Sequence, residues 1–160
     1  MLSLVIDSDI GTYFDDFLAI SLAVVSPEIE LLGVITNDGD TTTRAHIARR
    51  LLDVAGAESI PVAAGSGTPL LRRKPGNWAG HEGEGVLEGP FATTPDPRHG
   101  AQLILDITRA RPGAVTILGI GAMTNLAVAL ALEPGLPRLV SRLVVSPPGH
   151  PVALPGPIRV

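Results

Sequence analysis

The chain of 160 residues contains no cysteine, which excludes disulfide bridges, thiolate zinc sites and cysteine nucleophiles. Aromatic residues make up only 3%, and 12 Lys and Arg stand against 16 Asp and Glu, so the formal net charge is −4. A chain without a basic excess and with few aromatic stacking platforms does not have the composition of a nucleic-acid-binding protein. The composition favours a small ligand that is neutral or associated with a cation.

The sequence also lacks the features of a membrane or secreted protein. No apolar run approaches the roughly 18 residues that a spanning helix needs. The first apolar run has no basic segment before it and stops at Asp7, which is too short for a signal peptide. We therefore expect a cytoplasmic protein without a membrane partner.

Predicted strands and helices alternate along most of the chain. This order predicts an α/β fold, an open and mainly parallel sheet with helices on both faces and a Rossmann-like core. We expect one domain over residues 1–145 and an irregular, proline-rich tail over 146–160. The segment between 65 and 100 lacks periodicity, which predicts a long loop that is either functional or mobile. The apolar runs predict strands at 2–6, 30–36, 61–64, 115–118 and 139–145, and helices at 15–25, 42–55, 101–109 and 125–132.

Four carboxylates follow the first predicted strand within ten residues: Asp7, Asp9, Asp15 and Asp16. In open α/β sheets, ligands bind outside the carboxyl ends of the strands. Carboxylates this close together raise one another's pKa unless a cation or strong hydrogen bonds compensate. The pattern therefore predicts a site for a hard divalent cation at this strand end.

Five segments of the chain carry a recognisable pattern, and the first has Asp-x-Asp-x-Gly followed by paired Asp. The five segments are Asp7-Ser8-Asp9-Ile10-Gly11 with Asp15-Asp16-Phe17-Leu18-Ala19, 32–36 with Gly39-Asp40, 60–65, 78–85 and 121–127. In this order they resemble the inosine-uridine preferring nucleoside hydrolase family, and a resemblance in five places is far more specific than any one of them.

The resemblance implies a calcium-dependent enzyme that cleaves the N-glycosidic bond of ribonucleosides. It implies that Asp9 binds Ca²⁺ and acts as general base, that Asp16 is a second carboxylate ligand, and that Ile120 contributes its backbone carbonyl. Oxygen ligands of this kind suit the flexible coordination of Ca²⁺ better than octahedral Mg²⁺. By the same resemblance, Asp15 binds a ribose hydroxyl.

Four further residues have both a functional and a purely structural interpretation. The resemblance implies that Asp40 lies near the sugar and that His81 lies in a loop near the nucleobase, whereas the sequence alone also allows a helix N-cap and a solvated histidine. Asp7 is expected to support the site or simply to accept backbone N–H groups. Asn125 is expected to cap its helix or to satisfy the turn before it.

Two departures from the family pattern bear on activity. Tyr13-Phe14 stands where relatives commonly carry Asp and an aliphatic residue. Family members are about twice as long, and the resemblance covers their N-terminal half, so a further Asp ligand, a His near the leaving base and a ribose-binding cluster have no counterpart here. We expect activity far below that of a full-length relative.

Two alternative functions remain at this point. Asp7-x-Asp9 after an apolar strand also resembles the nucleophile and acid of haloacid dehalogenase-type phosphatases, although Gly11 stands where that family expects Thr or Val. The second alternative is a non-catalytic remnant. Because a shortened sheet leaves apolar edges uncovered, we also expect the chain to associate into a homo-oligomer or to aggregate.

Overall fold

The first strand lies at the centre of a five-stranded parallel sheet, in a computed structural model that describes residues 1–71, 79–91 and 93–146. The strand order is β3-β2-β1-β4-β5, and every pairing is parallel. The predicted parallel α/β sheet is confirmed. The strands are β1 (Leu2–Ser8), β2 (Ile29–Thr36), β3 (Val62–Ala64), β4 (Val115–Gly119) and β5 (Val140–Val145).

Helices cover both faces of this sheet. Because side chains alternate along β1, Leu4 and Ile6 join the core on one face, whereas Val5 joins the core on the other. The first face carries α1 and α2, and the second carries α3 and α4. The helices are α1 (Phe14–Val25), α2 (Thr41–Val54), α3 (Gly100–Ala110), α4 (Thr124–Leu132) and α5 (Leu136–Leu139).

The elements differ from the predicted ones mainly at their ends. Helix α5 was not predicted, because its four residues carry a proline in the first turn and are too few to show a helical period. Most of the expected tail, residues 147–160, lies outside the described residues, as does Trp78. Among the described residues, no helix is long and apolar enough to cross a membrane.

The strand order reverses beside β1. The chain passes from β1 outward to β2 and β3, and then returns to the other side of β1 with β4 and β5. The ends of β1 and β4 at this reversal form the crevice where doubly wound sheets bind their ligands. The acidic stretch that follows β1 therefore lies at the topologically favoured binding position.

Candidate functional site

Asp7 is the most deeply buried carboxylate at the carboxyl end of β1. Its side chain has no exposed surface, and its Oδ1 accepts hydrogen bonds from Asn37 Nδ2 and Asn125 Nδ2, each at 2.8 Å. Its Oδ2 is buried and has no hydrogen-bond partner among the described residues. Burial raises the pKa of Asp7 to about 7, although the two amides favour the charged form. The fold thus holds a carboxylate whose second oxygen is unsatisfied.

The two asparagines join three strand ends around Asp7. Asn37, just after β2, also accepts a hydrogen bond from Ala122 N at 2.8 Å, beyond the end of β4. Asn125 donates to Thr36 O at 3.1 Å and accepts from Ser66 N at 2.7 Å. It lies in the first turn of α4, whose N-cap is Met123, so it does not cap the helix as one interpretation expected.

Glycine is required at position 121, where the segments that follow β1, β2 and β4 meet. A Cβ added to Gly121 would lie 2.4 Å from Asn37 Oδ1 and 2.7 Å from Asp9 N. Just before it, Ile120 donates its N–H to Asp7 O at 2.9 Å. The backbone after β4 is thereby held against the backbone that carries Asp9.

Asp9 and Asp16 provide two further carboxylates near Asp7. Burial raises the pKa of the half-buried Asp9, an effect that nearby Arg44 partly opposes and that Asp38 and Asp15 reinforce. Asp16, in the first turn of α1, is buried and accepts a hydrogen bond from Ser8 Oγ at 2.6 Å. Burial raises its pKa to about 6 despite that bond, and the charges of Asp9 and Asp15 add to the effect. The positive charge of Arg44 therefore offsets only part of the effect of burial on Asp9 and Asp16.

The remaining predicted residues lie at the margin of this group. Asp15 is exposed in the first turn of α1. Asp40 is exposed and caps α2, accepting from Thr43 N at 3.0 Å and from Thr43 Oγ1 at 2.8 Å, and these bonds hold its pKa below the ordinary value. The structure therefore supports the helix-cap interpretation of Asp40. His81 is exposed in the loop after residue 79.

Three residues near the acids were missed by sequence reasoning. Asn37 was assigned only to a turn, although its place after a strand neighbouring β1 could have indicated a contact with Asp7. Arg44 and Glu82 are both buried. Arg44 lies in α2, and Glu82 lies in an irregular loop. No spacing in the sequence indicates that Glu82 contacts Thr12, 70 residues earlier.

The donor set at this edge partly fits a divalent cation. The available atoms are carboxylate and carbonyl oxygens, which are the ligands of hard cations. An unpartnered buried Oδ2 on Asp7 and raised pKa values on three acids are the features that a nearby positive charge would relieve. Within the described part of the chain, however, no three His, Asp or Glu side chains form a ready metal cluster. The chemistry of these oxygens suits a hard cation, but the described residues do not by themselves form a closed set of ligands.

Comparison with known proteins decides the family. The sequence model of the inosine-uridine preferring nucleoside hydrolases matches residues 4–146. The chain belongs to this family. An inosine-uridine preferring nucleoside hydrolase of Leishmania major is 36% identical over 97% of the chain, and one of Crithidia fasciculata is 35% identical over 92%.

Solved nucleoside hydrolase structures share the fold. A plant nucleoside hydrolase aligns with a TM-score of 0.77 at 29% identity, over 90% of this chain and 47% of its own. A purine-preferring ribonucleoside hydrolase from Gardnerella vaginalis aligns with a TM-score of 0.76 at 26% identity, over 89% of this chain and 48% of its own. The Leishmania and Crithidia relatives are covered over 51% and 48% of their length. The chain thus spans about half the length of the relatives it matches.

Proposed function

We propose that the carboxyl edge of the sheet binds Ca²⁺ and a ribonucleoside, and that it supports hydrolysis of the N-glycosidic bond to ribose and free base. The observation that carries this proposal is the convergence of Asp7, Asp9 and Asp16 at the strand-order reversal, with pKa values raised by burial. Family membership supports the reaction class. Asp9 and Asp16 would hold the ion together with the carbonyl of Ile120.

Each residue has a separate role in the proposed reaction. A bound Ca²⁺ would acidify a water molecule and orient the ribose hydroxyls. Asp9 accepts the proton of the attacking water as general base. Asp15 is exposed beside the acids, and we propose that it accepts a hydrogen bond from a ribose hydroxyl. Asp7, held by two asparagines, fixes the loop that carries Asp9.

Two other residues contribute less directly. His81 is exposed, and the adjacent Glu82 contacts the loop between β1 and α1, residues 9–13, which we call the acidic loop. We therefore propose that His81 lies on the nucleobase side of the site. Asp40 is satisfied as a helix cap, and we propose that it contacts the sugar only through its remaining exposed surface. Asn125 supports the site indirectly, because its side chain donates hydrogen bonds to Asp7 and to the end of β2.

The phosphatase alternative conflicts with the environment of Asp7. A nucleophilic carboxylate must be accessible to the phosphorus atom, but Asp7 is fully buried and one of its oxygens accepts from two asparagines. The match of residues 4–146 to the nucleoside hydrolase family also argues against the phosphatase hypothesis. The non-catalytic alternative is separated from the proposal by direct assay.

The assay measures release of ribose and free base from inosine, uridine and cytidine by the folded 160-residue protein. We expect slow release with Ca²⁺ and none after chelation. The matched control is Asp106→Asn, which removes a carboxylate on α3 away from the edge and leaves release unchanged. No release from folded protein that binds Ca²⁺ would favour the non-catalytic alternative. Release of phosphate from a generic ester with Mg²⁺ would favour the phosphatase.

Strand β5 provides a surface for self-association. Among the described residues it forms one edge of the sheet, and its Leu143 and Val144 are 47% and 43% exposed on opposite faces. An apolar edge strand exposes unpaired backbone groups and tends to pair with another chain. We propose that two copies of the chain associate through this edge.

Sedimentation over a concentration series tests that association. We expect the average mass of the wild-type protein to rise with concentration, and Val144→Lys to shift it toward the monomer by at least about tenfold in dissociation constant, since a buried charge is costly at an interface. Leu18→Lys is the matched control, because Leu18 is an exposed apolar residue on α1 instead of on the edge. A wild-type protein that stays monomeric throughout would contradict the proposal.

A further inference from the structure

Arg44 is a buried cation directly beneath the acidic loop. It extends from α2, and its side chain is fully buried. Its Nε donates to Asp38 O at 2.7 Å, and its Nη1 donates to Ile10 O at 2.8 Å and to Asp9 O. One guanidinium therefore holds the backbone after β1 and the backbone after β2 together.

Thr12 connects this guanidinium to a distant loop. Its hydroxyl oxygen accepts from Nη1 and Nη2 of Arg44, each at 3.3 Å, and its proton is donated to Glu82 Oε1 at 2.9 Å. A hydroxyl can fill both roles at once because it carries one proton and two lone pairs. Thr12 is thus hydrogen-bonded both to a buried cation and to a carboxylate 70 residues away in the sequence.

Glu82 organises the backbone immediately before it. It is only 7% exposed and accepts hydrogen bonds from Ala79 N at 2.6 Å and from Gly80 N at 2.8 Å. Burial alone would raise the pKa of Glu82, but these bonds and the one from Thr12 outweigh it and lower the pKa to about 2. The charged carboxylate therefore closes the turn that contains His81.

Gly11 lies beside Arg44 and Glu82. Its φ of +122° is a conformation that other residues rarely adopt. A Cβ at this position would lie 2.8 Å from Ile47 Cδ1, 3.5 Å from Glu82 Cγ and 3.6 Å from Arg44 Nη1. The positive φ favours glycine at this position, and the short distance that a Cβ would have is to Ile47, whereas Glu82 and Arg44 would lie at ordinary contact distance.

The far end of the same loop is also attached to α2. Arg50 donates to Val86 O at 3.2 Å, to Glu88 O at 2.9 Å and to Gly89 O at 3.0 Å. The loop bearing His81 is therefore tied to α2 at its far end directly, and to the acidic loop at its near end through Thr12.

We propose that Arg44, Thr12 and Glu82 form a brace that couples the acidic loop to the loop bearing His81, so that an ion bound at the acids orders the nucleobase side of the site. Arg44, Thr12 and Glu82 are positioning residues in this scheme and do not contact the reacting atoms. The inference rests on the proposed function for its ion, while the contact between the loops is independent of it. Movement of Asp9 and Ile10 on ion binding reaches Glu82 through Arg44 and Thr12.

Amide exchange measured by NMR on the full 160-residue protein tests the brace. Thr12→Val removes the hydroxyl at nearly constant shape, and Thr12→Ser keeps it as the matched control. Without an ion, we expect the amides of Ala79 and Gly80 to exchange about tenfold faster in Thr12→Val than in the wild type, because a hydrogen bond to a charged group is lost. Glu82→Gln should loosen the same two amides, and Thr12→Ser should retain wild-type protection.

Added Ca²⁺ tests the coupling itself. We expect it to slow exchange of these two amides by at least about threefold in the wild type and in Thr12→Ser, but not in Thr12→Val. Ion-free exchange that is the same in Thr12→Val and the wild type overturns the brace. Equal slowing by Ca²⁺ in Thr12→Val and the wild type overturns the coupling. A wild-type protein that takes up no Ca²⁺ by calorimetry overturns the proposed function, and the ion-free comparison still tests the contact between the loops.

Discussion

Asp9→Asn is expected to weaken Ca²⁺ binding by at least about 100-fold and to abolish release of base from ribonucleosides. Loss of a residue that only orients a metal ligand typically lowers affinity by about 10- to 100-fold, so loss of the direct ligand should exceed that range. The amide keeps the size of the side chain but removes the negative charge that both ion binding and proton acceptance need. Isothermal titration calorimetry with CaCl₂ measures the first effect, and the base-release assay measures the second.

Two controls separate this loss from a change in fold or in overall charge. Asp106→Asn makes the same chemical change on α3, where the carboxylate bonds Arg98 and Gln102, and should leave Ca²⁺ affinity unchanged. The melting temperature of Asp9→Asn without Ca²⁺ should not fall, because burial disfavours the charge of Asp9 in the ion-free protein. Wild-type affinity in Asp9→Asn would remove Asp9 from the ion site.

Asp7→Asn is expected to stabilise the ion-free protein above neutral pH. The pKa of Asp7 is raised to about 7 in the fold from 3.8, so the folded state binds the proton more tightly than the unfolded state. This tighter proton binding gives its full contribution to the free energy of unfolding below about pH 4, and the contribution is lost as the pH rises to about 7. At about 1.4 kcal/mol for each pH unit over that interval, the loss is at most roughly 4 kcal/mol.

Asp7→Asn can keep the hydrogen bonds that Asp7 makes in the fold. An asparagine at position 7 can keep its oxygen where Asn37 and Asn125 donate, with its amino group at the position of the unpartnered Oδ2. It therefore mimics the protonated acid. Urea unfolding between pH 4 and pH 8 should show a smaller fall in stability for Asp7→Asn than for the wild type. Parallel pH profiles for the two proteins would show that Asp7 is not the titrating group.

Ca²⁺ should reverse this pH dependence in the wild type. Asp16, with a pKa of about 6, contributes to the destabilisation in the same direction as Asp7. A bound cation favours the charged forms of both acids, so stability at pH 8 should rise on addition of Ca²⁺. This expectation links the electrostatics of the edge to the proposed cofactor.

Local patterns in the sequence were sufficient to predict the sheet and the position of the acids. Uninterrupted apolar runs such as Leu4 to Ile6 are typical of strands buried on both faces, and Asp7 and Asp9 follow such a run directly. The strand order β3-β2-β1-β4-β5 then places those acids at the reversal. Because these signals lie within a few residues of one another, they need no knowledge of tertiary contacts.

The contacts that support the acids were not predictable in the same way. Asn37 and Asn125 reach Asp7 across sequence separations of 30 and 118 residues, so their roles depend on the register of three strands. Arg44 lies on a helix with an ordinary apolar period, and its buried position is decided by the carbonyl groups that it contacts. Asp40 illustrates the opposite limit, since its local N-cap pattern was visible in the sequence and is what the structure contains.

The position of a bound ion would show whether Asp9, Asp16 and the carbonyl of Ile120 form the cation site. A crystal of the 160-residue protein grown with Ca²⁺, and a second crystal soaked with Sr²⁺ for its anomalous signal, would give the position of the cation. We expect one anomalous peak within about 2.3 to 2.8 Å of carboxylate oxygens of Asp9 and Asp16 and of the Ile120 carbonyl oxygen. A peak at any other position, or none in a crystal where these three residues are well ordered, would contradict it.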